Sequence, residues 1–213
     1  SCVEIGSNNG NLLKFLQPHF KNVLGVDPAK NIAKIAIDNG IETIIDFFSN
    51  NLAKKMLKKG SKFDVAIARH MFAHNEDPAE MLSAMDKILD ENGIFIIENA
   101  YAIDTFENGE FDQIYHEHMF YFSALNINAL MNKFNFELID FEHAPIHGGS
   151  GIFICAKKGK HKIQESVGKI FKKEEELLKD KKFFKNFKDR IEVTRKEVMK
   201  LIDKELRSNN IVG

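Results

Sequence analysis

Short apolar runs and stretches of helical spacing alternate along the first three quarters of the chain. Runs of strand length occupy residues 2–5, 23–26, 42–45, 63–68 and 94–97, each bounded by Gly, Asp or Asn. Between them, apolar residues recur at helical spacing. Leu12, Leu13, Phe15 and Leu16 predict a first helix, and Ile32, Ala33, Ile35 and Ala36 a second. Leu52, Met56 and Leu57 predict a third, and Met81, Leu82, Met85, Ile88 and Leu89 a fourth. The strands read as continuous rather than alternating apolar runs, as burial on both faces demands, and parallel neighbours need a helical crossover between them. Residues 136–141 and 152–155 add two later strands, with a helix over 126–134. The expected fold is therefore α/β, a doubly wound, mostly parallel seven-stranded sheet with a late antiparallel strand. Residues 100–123 show no clean period, yet hold all three tyrosines and two of the eight histidines, which predicts a site loop rather than a linker.

Beyond Gly159 the character changes. Residues 1–159 carry a formal charge of -7 and residues 160–213 one of +6, so the net charge of -1 conceals an asymmetry. The only periodicity in the second part is helical, from Ile163 through Val167, Ile170, Leu177, Phe184, Phe187 and Ile191 to Leu201. A polar break falls at 179–182, which predicts an amphipathic helical extension in two pieces. The expected organisation is a catalytic body over 1–159 and a helical connector over 160–213. Residues 209–213 read as a turn feeding a further strand. The chain starts at Ser1 directly in a core strand, and with that ending it is expected to be part of a longer protein.

At 213 residues, 44% hydrophobic and 29% charged, the composition is that of an ordinary folded domain. No apolar run reaches the ~18 residues that cross a bilayer, so a cytoplasmic protein is expected. Cys2 and Cys155 alone supply neither a disulfide framework nor a four-ligand zinc site. An acidic body with a mixed-charge tail gives little support to a nucleic-acid groove.

Candidate chemistry begins at the first strand, which runs into Glu4-Ile5-Gly6-Ser7-Asn8-Asn9-Gly10 and then a helix. Glycines in such a turn let a ligand rest against the main chain at the carboxyl end of the sheet. The second strand ends in Gly25-Val26-Asp27-Pro28, placing an acid about 20 residues beyond the turn, where it can hold ribose hydroxyls. Asp27 also reads as a cap for the next helix. A dinucleotide site wants G-x-G-x-x-G, but Asn8 and Asn11 stand at its second and third glycine positions. A nucleoside without pyrophosphate suits this turn better, and S-adenosylmethionine fits, its positive charges being compatible with acids such as Glu4. Asp46 and Phe47 end the third strand, where an aromatic ring can flank adenine; core packing explains Phe47 equally well. The predicted cofactor set is Glu4, Gly6, Ser7, Asn8, Gly10, Asp27, Pro28, Asp46, Phe47 and Arg69, the last at the end of the fourth strand.

The irregular stretch contains Phe111-Asp112-Gln113-Ile114-Tyr115-His116-Glu117-His118, followed by Phe120-Tyr121-Phe122-Ser123. Downstream comes Pro145-Ile146-His147-Gly148-Gly149-Ser150. With the glycine turn, Asp46-Phe47-Phe48 and Phe72-Ala73-His74, these segments resemble the nucleotide-sugar C-methyltransferases of deoxysugar biosynthesis, within the class I, Rossmann-like methyltransferase superfamily. The resemblance covers about residues 2–157. It implies methyl transfer from S-adenosylmethionine to a carbon beside the ketone of a nucleotide-linked 4-keto sugar. It implies His118 as the base that removes the weakly acidic proton, Tyr115 as a hydrogen-bond donor to the enolate oxygen, Glu117 as an adjuster of substrate contacts, and His74 as a further pocket residue. His147, Gly148, Gly149 and Ser150 become substrate-binding candidates, with backbone amides facing phosphates, although a tight turn also explains the glycines. The family usually continues this segment with Leu-Arg, where this chain has Gly151-Ile152, so a guanidinium contact there is not expected.

For His116, His143 and His161 an ordinary surface or hydrogen-bonding role is the simpler reading. His70, His74, His116 and His118 have spacings that could converge on a metal, but no H-E-x-x-H motif is present and none is expected. The resemblance further implies an amino-terminal zinc-binding domain and a carboxyl-terminal nucleotide-sugar domain outside this piece, whose loss would weaken turnover. Two other functions fit the same cofactor turn: an O- or N-methyltransferase, which needs no enolate-forming base, and a non-catalytic donor-binding scaffold with the basic tail as its assembly helix. Oligomeric state is open.

Overall fold

The computed structural model describes residues 1–208. In chain order the elements are β1 (Cys2–Ile5), α1 (Asn11–Leu16), β2 (Val23–Val26), α2 (Lys30–Asp38), β3 (Thr43–Ile44), α3 (Asn50–Lys58), β4 (Phe63–Arg69), α4 (Pro78–Ile88), β5 (Leu89–Ala100), α5 (Ala102–Asn108), α6 (Ala124–Met131), β6 (Phe136–Ala144), β7 (Ser150–Lys157), α7 (Glu165–Lys179) and α8 (Lys181–Arg207). The strands form one seven-stranded sheet in the order β3-β2-β1-β4-β5-β7-β6. β1 to β5 are parallel, while β7 runs antiparallel to both β5 and β6. This is the α/β fold expected from the alternating pattern.

The chain winds from β1 out to β3, then returns to the other side of β1 to lay down β4 and β5. Between the carboxyl ends of β1 and β4 the winding reverses, and loops there leave in opposite directions, opening a crevice. The β6–β7 turn reaches the same edge because β7 is antiparallel: Ala100 at the end of β5 pairs with Ser150 at the start of β7. The sheet is buried on both faces. Phe72, Phe95, Phe136 and Phe153 are fully inaccessible, each contributing about 2–3 kcal/mol by removal from water.

Two expectations are corrected. β5 extends to both sides of the expected 94–97, because pairing with β4 begins at Leu89 and pairing with β7 carries polar Glu98 and Asn99 into the ladder, which a hydrophobic pattern does not show. The stretch 100–123 is not wholly irregular: it contains α5 and a short 3-10 turn over Phe111–Gln113. The helical extension beyond Gly159 packs on the body. Val167 of α7 and Phe183 of α8 belong to the main core, and Glu174 of α7 is fully buried. The break between α7 and α8 falls where the polar interruption placed it, with Asp180 capping α8 through Lys182 N. The further strand expected over 209–213 lies outside the described residues.

Candidate active site

The turn after β1 holds Gly6, Asn8 and Gly10 at φ of 71°, 52° and 76°, the left-handed region that glycine and asparagine tolerate best. Asp27, at the tip of the parallel neighbour β2, stitches this turn in place. Its Oδ2 accepts from Asn8 N at 2.8 Å and its Oδ1 from Ala29 N at 2.9 Å. Asp27 does not cap α2, whose N-cap Ala29 has no side-chain cap bond; its carboxylate closes a turn ahead of the helix and orients the glycine turn.

Glu4 points into this crevice region from β1 and is inaccessible to solvent. Its Oε1 accepts two bonds from Arg69 of β4, from Nε at 3.1 Å and Nη2 at 3.0 Å, while its Oε2 has no partner. Burial pushes the carboxyl up to about 7, with Arg69 pulling the other way. Ser7 Oγ is likewise buried and unpartnered. Buried polar atoms are seldom left unpaired, at about 1–3 kcal/mol each, unless a ligand completes them. A ligand carrying an ammonium group and hydroxyls beside the glycine turn would do so, and S-adenosylmethionine has both. Phe47 is 73% exposed beyond β3 and Asp46 Oδ1 accepts from Phe47 N, so core packing does not account for the ring.

Next to this crevice, under the loop after β4, lies a cavity of about 290 Å³. His70, His74, Asn99, Tyr115, His118 and His147 are among the residues that line it, drawn from four separate segments. Met119 N donates to Ala73 O at 3.0 Å and thereby docks the Tyr115–His118 turn onto the His74 turn. His118 is held at both nitrogens. Its Nδ1 lies 2.9 Å from Gln113 O, a group that can only accept, so Nδ1 carries the proton. Nε2 then presents its lone pair, and Tyr115 Oη sits 3.0 Å away to donate to it. His74 packs edge-on against His118 with ring centroids 4.9 Å apart. Burial first, and then the neighbouring His118 ring, hold His74 below the ordinary histidine value.

A second histidine pair closes the other side of the cavity. His70 and His147 both have left-handed backbones, at φ of 48° and 52°, and their rings meet edge-on at 4.7 Å. Such conformations cost about 1–3 kcal/mol and gather at functional sites. His70 Nε2 lies 3.3 Å from Glu98 Oε1 and holds that carboxyl below its usual range. Met71, next in the chain, touches the turn of the other half-site, for a Cβ on Gly6 would press on it at 3.0 Å. One loop therefore borders both the glycine turn and the cavity.

The expected residues do not all converge. Glu117 lies exposed on the turn and is not part of the cavity lining; its charge is felt mainly at His74. Of the His147–Ser150 segment only His147 lines the cavity. Ser150 Oγ donates to Ile146 O at 2.9 Å, and the Cα atoms of Gly148 and Gly149 face the carboxylates of Glu110 and Asp104. The glycines serve close packing against acids, a poor place for a phosphate. His143 Nε2 pairs with Asp104 Oδ2 at 2.5 Å. Among the described residues no three of His, Cys, Asp and Glu are grouped to hold a metal ion, and no helix is long and apolar enough to cross a membrane. Pattern reading missed Asn99, Gln113 and the site role of His70. Asn99 sits inside a strand and Gln113 acts through its backbone, so neither leaves a motif.

Comparison with known proteins bears on this arrangement. A family profile described as a methyltransferase domain matches residues 1–140, and one described as a C-methyltransferase C-terminal domain matches residues 145–213. The second match begins within the turn between β6 and β7, so its span includes β7 of the sheet together with the helical tail. The C-methyltransferase NovU of Streptomyces niveus is 32% identical over 173 residues, covering 81% of this chain and 41% of that protein. The chain thus spans less than half the length of this curated relative. Magnesium protoporphyrin IX methyltransferase of Synechocystis, solved with bound S-adenosylhomocysteine, superposes with a TM-score of 0.57 at 15% identity, covering 74% of each chain. An S-adenosylmethionine-dependent methyltransferase of Clostridium acetobutylicum gives 0.58 at 15% identity, covering 74% of this chain and 84% of that one.

Proposed function

Since the chain belongs to the methyltransferase domain family and shares the fold of S-adenosylmethionine-dependent methyltransferases, we propose that it transfers the methyl group of S-adenosylmethionine to a carbon beside the ketone of a nucleotide-linked keto sugar. The single observation carrying this reading is the state of His118. A hydrogen bond from its Nδ1 to Gln113 O puts the lone pair of this cavity-lining ring on Nε2, where the Tyr115 hydroxyl holds it until a substrate C–H takes that place. An O- or N-methyltransferase needs no base that forms an enolate.

His118 Nε2 takes the proton from the carbon, and the C–H electron pair becomes the double bond of an enolate whose charge rests on oxygen. Tyr115 Oη, 3.0 Å from the same nitrogen, releases it and turns its hydrogen to that oxygen. His74, kept neutral by burial and by its neighbour, adds no second positive charge when His118 becomes protonated. When bound, the cofactor would supply an electrophilic methyl carbon with a neutral thioether as its leaving group. As the ketone re-forms, the carbon bonds to that methyl group. Glu4 and Arg69 orient the donor's amino-acid end, Asp27 its ribose, and Asp46 and Phe47 its base, while His118 returns its proton to solvent. We place the substrate over the carboxyl ends of β4 and β5 in a cytoplasmic enzyme, with residues 160–213 as a helical connector toward a further domain.

The test is hydrogen–deuterium exchange at the carbon beside the ketone of nucleotide-linked 4-keto sugars in heavy water, followed by NMR, together with methyl transfer on addition of the donor. Exchange that disappears in His118→Asn while the variant still binds S-adenosylhomocysteine supports the proposal. Methylation of an oxygen or nitrogen acceptor at full rate by that variant would sink it.

A further inference from the structure

Asn99 is 1% exposed, lines the cavity, and has no hydrogen-bond partner at either Oδ1 or Nδ2. The strand geometry explains why. Its cross-strand neighbour on β7 is Gly151, which offers no side chain. On the other flank β4 has already ended at Arg69, opposite Glu98. The next residue, His70, leaves the strand with φ of 48° and sends its ring to the Glu98 carboxylate instead. The backbone donor of His70 is used by Glu98 O at 2.7 Å. An amide thus stands at the end of a core strand, surrounded by rings and backbone, with both its donor and its acceptor unused. An apolar residue would be more stable there, so the amide's value lies in a ligand that enters the cavity.

We infer that Asn99 contacts the substrate, its Nδ2 donating to the ketone oxygen while His118 removes the neighbouring proton. The inference rests on the carbon-methylation reading above. A neutral donor in a water-poor site gains strength as negative charge builds on that oxygen, and it needs no reorganisation when the charge appears. Its place at the end of β5, on the cavity side rather than among the Glu4–Asp27 groups, assigns it to the substrate and not to the methyl donor.

The test compares wild type, Asn99→Ala and the isosteric Asn99→Asp for solvent deuterium exchange into the keto sugar, for kcat and KM, and for S-adenosylhomocysteine affinity by calorimetry. Exchange and kcat should fall about 100-fold in Asn99→Ala, with donor affinity within twofold of wild type and thermal stability not reduced. Asn99→Asp should lose more at pH 8 than at pH 5, since its carboxylate opposes the enolate when ionised and can donate a hydrogen bond when protonated. It also stands in should the Ala variant fail to fold. Exchange within threefold of wild type in the folded variants, or loss of donor affinity with exchange preserved, overturns the role of Asn99 alone. Absence of exchange by the wild-type protein with every keto sugar overturns the carbon-methylation reading, and this inference with it.

Discussion

The Tyr101 hydroxyl at the end of β5 donates a 2.6 Å hydrogen bond to Glu174 Oε1 on α7. The same carboxylate accepts from Ala124 N at 2.6 Å and Leu125 N at 2.8 Å, the unpaired amides that open α6. A carboxylate with no solvent exposure is thus satisfied by one side chain and a helix start, where the helix dipole also favours its charge.

Glu174→Ala should therefore destabilise the protein by about 3 kcal/mol, because it leaves two backbone donors and the Tyr101 hydroxyl buried without partners. Chemical denaturation measures this. Glu174→Gln should cost less, and Tyr101→Phe less again. An effect below ~0.5 kcal/mol for the alanine variant would show that α7 does not seat on the body as described.

Affinity for S-adenosylmethionine should rise with pH through about 7, where the Glu4 carboxyl loses its proton. The donor's positive charges favour the ionised form, so below that pH binding must first displace a proton. Glu4→Gln should bind more weakly at pH 8 and lose the pH dependence, as read by calorimetry. For folding the sign is opposite. The carboxyl's value is raised from 4.5, so its contribution to stability is full below about 4.5 and is lost as pH climbs through about 7. Glu4→Gln should accordingly be no less stable than wild type at pH 8.

Phe47→Ala should leave the melting temperature almost unchanged, since the ring is largely exposed. Donor affinity should fall about fivefold, corresponding to ~1 kcal/mol of lost stacking on the adenine. A large drop in stability with unchanged affinity would place Phe47 in the fold rather than the site.

Tyr115→Phe should lower kcat about tenfold while leaving stability within ~0.5 kcal/mol, as expected for an exposed residue whose hydroxyl makes one bond at the site. Steady-state kinetics beside thermal melts checks both. His118→Asn should be far more damaging, by about 100- to 10,000-fold, because no other group offers a lone pair at that place.

The alternation of buried strands and amphipathic helices was legible in the residues alone, because burial on both faces leaves a strand as a continuous apolar run while burial of one helix face imprints a period of 3.6, both locally. The glycine turn, the acid at the tip of the second strand and the Tyr115–His118 segment were legible for the same reason: each is a short run whose chemistry is set by its own spacing. What lay beyond sequence was every feature made by residues distant in the chain. Asn99 acquires its unpaired amide only because β7 presents Gly151 beside it and β4 stops at Arg69. Gly148 and Gly149 read as a phosphate cradle until packing set them against Glu110 and Asp104. The tail was legible as a helical extension packed on the body, but not the buried glutamate, 73 positions from its tyrosine, that anchors it there. Local spacing determined the elements and the motifs; the pairing order of the strands decided which polar groups would be left facing the cavity, since hydrogen bonding and burial depend on neighbours in space and not along the chain.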